Sequence, residues 1–214
     1  MNVFKRLFMR VLRRTIERDQ AHHFANRDYS AVIELTKRMR SHSQDLRMGQ
    51  WKAKALCGLE QYSEALDVVT RLEGLLRQQR ESMTPKQQDV WERELAKLKC
   101  RILFESTKYG PLASVAYDAV RRFPTESCFR SYEVAASLWS ESANLADSVR
   151  RCDVDMESWN EAWEYLVMFS AQRWLGNTDR ARAIAVSALE RFADDPRIMT
   201  MYKESAELVD TERS

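Results

Sequence analysis

Residues 58–72 read GLEQYSEALDVVTRL, and this stretch does most to decide the fold. Tyr62 is followed three positions later by the small residue Ala65, and then by Val69 and Leu72 at steps of four and three. Side chains at such steps share one face of an α-helix. A small residue on that face lets a second helix pack at close range. The stretch therefore predicts a helix packed tightly against a neighbouring helix.

Two later stretches repeat this pattern of aromatic and small residues. Residues 108–124 read KYGPLASVAYDAVRRFP, and residues 176–188 read GNTDRARAIAVSA. Their small residues recur at helical steps, which again predicts helices that pack closely. The members in register are Tyr109, Leu112, Ala116, Ala119 and Pro124 in one stretch and Thr178, Ala181, Ala185 and Ala188 in the other.

The composition favours helix throughout the chain. The 214 residues include only five glycines and four prolines, and 31% are charged, which suits helices better than strands or disorder. We expect an all-α protein built as an α-solenoid of antiparallel helical hairpins. The helices are expected near residues 29–39, 46–59, 63–80, 85–106, 109–123, 126–140, 143–151, 159–174, 179–192 and 196–209.

The net charge of +2 hides a strong polarity along the chain. Residues 1–55 carry a net charge of +8, whereas residues 126–214 carry −7. Such asymmetry predicts that the two ends attract different neighbours. It does not bear on the fold.

The first residues predict a basic amphipathic helix, because apolar pairs recur every four positions from Val3 to Leu12 and arginines fill the gaps. Three interpretations stay open: a mitochondrial targeting segment, a helix lying on an anionic membrane or acidic surface, or a capping helix packed on the repeats. We favour packing. The candidate partner-binding residues of this helix are Lys5, Arg6, Arg10, Arg13 and Arg14.

With its small and aromatic positions, the chain resembles the tetratricopeptide repeat (TPR), a 34-residue helix–turn–helix unit. Ala53 and Ala65 match the small residues at which the two helices of a repeat meet. Leu112 departs from the pattern, since a small residue is expected there. The resemblance implies a divergent TPR-like array. Other matching positions are Tyr29, Leu56, Cys100, Leu103, Tyr109, Ala119, Pro124, Phe169, Gly176, Ala181 and Ala188.

The repeat spacing predicts the organisation of the chain. Residues 1–26 form the basic helix, residues 27–195 the repeats, and residues 196–214 a capping helix with a short tail. Tyr62 and Tyr109 are 47 residues apart, which exceeds one repeat and indicates a polar insertion near residues 77–89. A degenerate repeat is expected around Ala143 and Ala146.

The resemblance implies that the first helices of successive repeats line a groove for a partner peptide or helix. The positions carried over are Arg47, Gln50 and Lys54 in one repeat and Glu94, Lys97 and Arg101 in another. Family members that grip acidic chaperone tails also use asparagines there, which are missing here, so that activity is not expected. The alternative is that these residues belong to solvated helix faces.

The sequence therefore favours a non-enzymatic scaffold, adaptor or assembly subunit that docks other proteins. The alternatives are an RNA-associated helical repeat protein, through the basic N-terminal region, and a membrane-peripheral or mitochondrial complex subunit. We expect no cofactor and no metal, since no phosphate-binding loop or zinc spacing occurs. Widely spaced cysteines suggest a reducing, cytoplasmic-type compartment, with mitochondria as the alternative. Trp159, Trp163 and Trp174 are expected in the core rather than at an interface.

Overall fold

A computed structural model describes residues 20–38, 46–140, 142–152 and 159–212. Within these ranges the regular structure is helical and no strand occurs, so the predicted all-α class is confirmed. The predicted basic helix before Gln20 lies outside the described residues, together with Lys5, Arg6, Arg10, Arg13 and Arg14.

The helices divide between two compact units, Met1–Ser106 and Thr107–Ser214. The N-terminal unit contains α1 (Tyr29–Arg38), α2 (Leu46–Gly58), α3 (Tyr62–Gln78), a 3-10 helix (Arg80–Ser82) and α4 (Pro85–Glu105), and residues 20–25 are helical as well. The C-terminal unit contains α5 (Tyr109–Arg122), α6 (Ser127–Trp139), α7 (Leu145–Cys152), α8 (Ala162–Trp174), α9 (Thr178–Arg191) and α10 (Pro196–Glu212).

Successive helices pack against each other within each unit, as helical hairpins do. In the N-terminal unit α2 packs on α1, α3 and α4, and α3 packs on α4. In the C-terminal unit α6 packs on α5, α7 and α8, and α9 packs on α8 and α10. The small residues of the sequence pattern lie where helices meet, because Ala53 and Ala65 are fully buried. Ala181, Ala185 and Ala188 are fully buried in α9.

The turns that lead into four of the helices, α1, α3, α5 and α9, share one backbone feature. A residue with positive φ stands two positions before Tyr29, Tyr62, Tyr109 and Thr178, and these residues are Arg27 (58°), Glu60 (61°), Thr107 (57°) and Gly176 (78°). In three of the turns the amide that follows, of Asp28, Gln61 or Asn177, donates to a carbonyl five residues earlier, at 2.8, 2.9 and 2.9 Å. This is the Schellman C-terminus of a helix, and it reverses the chain into the next helix.

The stretch of residues 77–89, in which a polar insertion is predicted, holds the end of α3, the 3-10 helix and the start of α4. Thr84 caps α4 with a capping box, since its side chain accepts from the Gln87 amide at 3.3 Å and its own amide donates to Gln87 Oε1 at 2.9 Å. Pro85 occupies the first turn, where its missing N–H costs nothing. From this start α4 runs for 21 residues, whereas α2 and α8 have 13 each.

The expectation that the tryptophans of residues 159–174 form one core stripe is only partly right. Trp159 precedes α8 and is buried, with 1% of its surface exposed and its ring 5.0 Å from that of Tyr165. Trp163 stacks on Tyr132 at 4.5 Å. Trp174 is 60% exposed, so the prediction is wrong for this residue. The helix begins at Ala162, which removes Trp159 from the helical register, and Trp174 is the last residue of α8.

Among the described residues, no helix combines the length and the apolar character that a membrane crossing requires.

Candidate functional site

The first helices of two successive hairpins, α2 and α4, face each other across a cleft in the N-terminal unit. The cleft has a volume of about 470 Å³. It is lined by Arg47 and Gln50 of α2 and by Lys86, Gln87, Val90, Trp91 and Glu94 of α4.

One wall of the cleft is the additional length of α4. Lys86, Gln87, Val90 and Trp91 lie in the first two turns of this helix, directly after the capping box. These turns come from the segment that interrupts the repeat spacing in sequence. These first two turns supply the side of the cleft opposite Arg47, because a helix of 13 residues like α2 that also ended at Glu105 would begin only after Trp91.

The floor and rim of the cleft differ in polarity. Trp91 packs partly buried against the core of the N-terminal unit, whereas Val90 leaves 39% of its surface exposed. Arg47 and Lys86 are exposed on the two sides. The cleft thus offers an apolar patch with a positive charge on each helix and the Glu94 carboxylate on α4, which suits a segment with an apolar side chain better than a purely polar ligand.

Lys54 lies on the same face of α2 as Gln50, one turn further along the helix. Its ammonium lies 5.3 Å from the ring centre of Trp51, and the side chain is half-buried. Burial lowers the pKa of Lys54, the charge of Glu94 opposes that shift, and Arg101 adds to it. Both of these groups belong to α4, so Lys54 lies in the electrostatic field of the opposite helix.

Carboxylates of α4 partly neutralise the basic residues on the same helix. Glu94 lies 4.0 Å from Lys97, and Glu105 lies 2.7 Å from Arg101. These are exposed or half-exposed pairs on one helix face, which contribute little to stability. The two pairs hold the charged groups of Lys97 and Arg101 close to carboxylates of the same helix.

Cys57 connects the C-terminal end of α2 to the C-terminal end of α4 by a hydrogen bond. Its Sγ donates to Glu105 Oε2 at 2.8 Å. Burial and the adjacent Glu105 carboxylate raise the pKa of the Cys57 thiol to about 12. The thiol therefore stays protonated near neutral pH and serves as a hydrogen-bond donor between the helices, not as a nucleophile.

The structure brings together some of the residues that the sequence singled out. Arg47, Gln50 and Glu94 line one cleft, and Lys54 interacts electrostatically with Glu94 and Arg101. Lys97 lies on the same helix and pairs with Glu94. That these residues bind a partner stays a prediction. Sequence reasoning missed four lining residues, Lys86, Gln87, Val90 and Trp91, although the capping box that starts their helix was readable.

A buried polar cluster in the C-terminal unit is structural in character. Glu164 is 1% exposed and accepts hydrogen bonds from the amides of Asn160 and Glu161 at 2.8 and 3.0 Å. The hydroxyls of Ser127 and Ser131 donate to its other oxygen at 3.2 and 3.3 Å. Desolvation nevertheless raises the pKa of Glu164. The cluster joins α6 to the start of α8.

Groups of histidine, cysteine, aspartate and glutamate that would hold a metal ion do not occur in the described part of the chain. Cys57, Cys100, Cys128 and Cys152 are all free thiols. Of these, Cys128 is half-buried and the other three are buried.

The paired helices, the buried small residues and the recurrent turns define a TPR-like helical repeat fold. A solved structure agrees: a thermophilic TPR protein of Thermus thermophilus matches with a TM-score of 0.64 and 16% sequence identity. The match covers 90% of this chain and 98% of that protein. At this identity it shows the fold alone. No protein-family model and no curated protein sequence matches the chain.

Proposed function

We propose that this chain is a non-enzymatic scaffold that holds a segment of a partner protein in the cleft between α2 and α4. The observation that carries the proposal is the cleft itself, which combines an exposed apolar residue, Val90, with basic side chains on both helices. TPR-like folds generally bind other proteins, and this general property makes a protein partner the best-supported ligand.

The position of the cleft supports docking over a purely structural role. Helix-lined grooves of repeat proteins bind through side chains that the repeat leaves free for other contacts. Ala53 and Ala65 are buried where helices pack, whereas Val90 and Lys86 are exposed to solvent. The extension of α4 adds surface to the cleft that the repeat pattern does not require.

The four free thiols support a reducing compartment, since oxidising compartments favour disulfides. Such a compartment would suit an adaptor inside the cell. We place the chain there as part of the same proposal.

Two variants with matched exposure test the proposal. Val90 and Val186 are 39% and 40% exposed, on α4 and α9 respectively, and only Val90 lines the cleft. Full-length chain, Val90→Arg and Val186→Arg would be used as baits, with quantitative mass spectrometry of the retained proteins and circular dichroism to confirm folding. We expect a stoichiometric partner that is retained by the wild type and Val186→Arg and lost from Val90→Arg. A partner that is retained equally by both variants would contradict the assignment of the cleft.

A further inference from the structure

Helix α10 of the C-terminal unit has one buried face and two exposed flanks that differ in polarity. Ile198, Met201 and Ser205 are buried, and α10 packs on α8 and α9. One exposed flank is polar, and on it Glu204 pairs with Arg173 of α8 at 2.6 Å. The opposite flank is apolar, although it faces solvent.

The apolar flank of α10 is formed by Met199, Tyr202 and Ala206. These positions follow each other at steps of three and four, so they share one side of the helix. Met199 leaves 39% of its surface exposed, Tyr202 leaves 37%, and Ala206 is exposed as well. A helix that packs on its neighbours with one face normally carries polar residues on the rest of its surface. The apolar flank therefore indicates a surface that another helix can cover.

The order of residues along this flank is self-complementary. Two α10 helices that meet antiparallel, about a two-fold axis level with residue 204, set Tyr202 of each chain opposite Ala206 of the other. A large side chain then has a small residue opposite it, which lets helices pack at close range. The same axis sets Met199 opposite position 209, where the sequence has valine. The flank thus fits a second copy of itself.

The charges along α10 favour the antiparallel arrangement over the parallel one. Residues 196–203 contain two basic residues and no acidic one, whereas residues 204–212 contain four acidic residues and no basic one. Antiparallel pairing sets the positive half of each helix beside the negative half of the other. Parallel pairing would set the two negative halves side by side, where like charges repel.

Two of these charges already have partners within the chain. Arg197 pairs with Asp195 at 2.7 Å, and Glu204 pairs with Arg173. Lys203 is exposed beside the apolar flank, and the sequence has Glu207 one turn later. In the antiparallel arrangement, position 203 of one chain lies within about 3 Å, along the helix axis, of the level of position 207 of the other. Opposite charges thus meet twice across the two-fold axis.

We propose that two copies of this chain associate through the apolar flank of α10, as an antiparallel pair of α10 helices related by a two-fold axis. An interface of this kind uses the same surface of both chains, so every contact occurs twice. The inference does not depend on the docking function, because α10 belongs to the C-terminal unit and the cleft to the N-terminal unit.

The mass of the full chain in solution tests the interface. Analytical ultracentrifugation at about 1–100 μM protein should show the wild type passing from 25.1 kDa to twice that mass. Tyr202→Glu should weaken association about a hundredfold or more, because symmetry removes the tyrosine twice and adds two carboxylates. Tyr117→Glu is the matched control, since Tyr117 is 52% exposed on α5 and its replacement should leave association unchanged. Circular dichroism confirms that both variants fold.

Disulfide crosslinking in a Cys128→Ser background tests the orientation. Antiparallel pairing separates the two copies of position 199 by about 15 Å along the helix axis, which is too far for a disulfide. Met199→Cys alone should therefore not crosslink. A mixture of Met199→Cys and Val209→Cys chains should form the bond between chains, because these two positions lie opposite each other.

Four outcomes would overturn the inference. The wild type could stay at 25.1 kDa at every concentration, or form a dimer that Tyr202→Glu leaves intact. Crosslinking by Met199→Cys alone would show a parallel pair. A monomeric wild type that retains a different protein through Tyr202 would assign the flank to that protein. Val90→Arg should keep the dimer, so that a loss of docking in this variant concerns the cleft alone, whereas a dimer lost in Val90→Arg would place the interface at the cleft.

Discussion

Cys57 donates from its Sγ to Glu105 Oε2 at 2.8 Å, and this contact joins the ends of the two helices that face the cleft. The two residues are 48 positions apart in sequence. The other oxygen of this carboxylate, Oε1, accepts from Arg101 Nε at 2.7 Å, so one carboxylate positions a thiol of α2 and a guanidinium of α4. The C-terminal ends of α2 and α4 are thereby joined by a polar contact as well as by core packing.

The thiols should differ in reactivity. We expect Cys128 to be alkylated first under native conditions at pH 8, because the pKa of Cys57 is raised to about 12 and the other cysteines are buried. Peptide mass spectrometry after brief iodoacetamide treatment gives the order, and labelling in urea shows that each thiol is reachable once unfolded. Cys57 reacting as fast as Cys128 would contradict the buried, protonated thiol.

The small residues of α9 should not tolerate a larger side chain where helices meet. Ala181 is fully buried, whereas Ala183 of the same helix is exposed. Ala181→Leu should lower the free energy of unfolding by about 1–3 kcal/mol through overpacking, and Ala183→Leu should change it by much less. Urea titration followed by circular dichroism measures both. Equal effects of the two substitutions would show that Ala181 does not lie at a close helix contact.

Two glycines should respond in opposite directions to the same substitution. Gly176 has a φ of +78° in a repeat turn, and Gly74 lies within α3 with open space where a Cβ would stand. Gly176→Ala should cost about 1–2 kcal/mol because alanine disfavours the left-handed region. Gly74→Ala should stabilise by about 0.5–1 kcal/mol through helix propensity. Thermal unfolding of both variants provides the comparison, and a loss of the same size in each would argue against the turn geometry.

Glu164 should make stability depend on pH. Desolvation raises the pKa of Glu164 in the folded protein. The contribution of its protonated carboxyl to the free energy of unfolding is therefore fully present below the ordinary glutamate pKa, and it is lost as the pH rises through the raised pKa. Glu164→Gln cannot ionise, and its free energy of unfolding should vary less with pH in that window. Urea titrations across the acidic range measure this, with exposed Glu190→Gln as the control for a lost surface charge. The idea fails if Glu164→Gln and the wild type show the same slope.

The sequence was sufficient for the helices and the hairpins because their determinants are local. Tyr62 and Ala65 mark a helix face by spacing alone, and Thr84 and Gln87 mark the start of α4 by a reciprocal cap. The turns were harder to read, since only one of the four positive-φ positions, Gly176, is a glycine.

The candidate site was only half readable from sequence. Arg47 and Lys54 could be placed by analogy with repeats of regular length, but Val90 and Trp91 belong to an extension that no repeat pattern anticipates. That these residues reach the cleft depends on how α4 packs on α2, which is a long-range property. The exposure of Trp174 was missed for a related reason, since helical spacing does not report where a helix ends against its neighbours.

The most direct test of the docking function is site-specific photo-crosslinking in the full chain. A photoreactive phenylalanine derivative would replace Val90 in one preparation and Val186 in another, two positions of nearly equal exposure. After irradiation in cells, the crosslinked peptides would be identified by mass spectrometry. The account predicts that one short partner segment is attached at position 90, is absent at position 186, and is lost when Arg47→Glu is added. The same adducts at both positions, or an adduct at 90 that Arg47→Glu leaves unchanged, would contradict it.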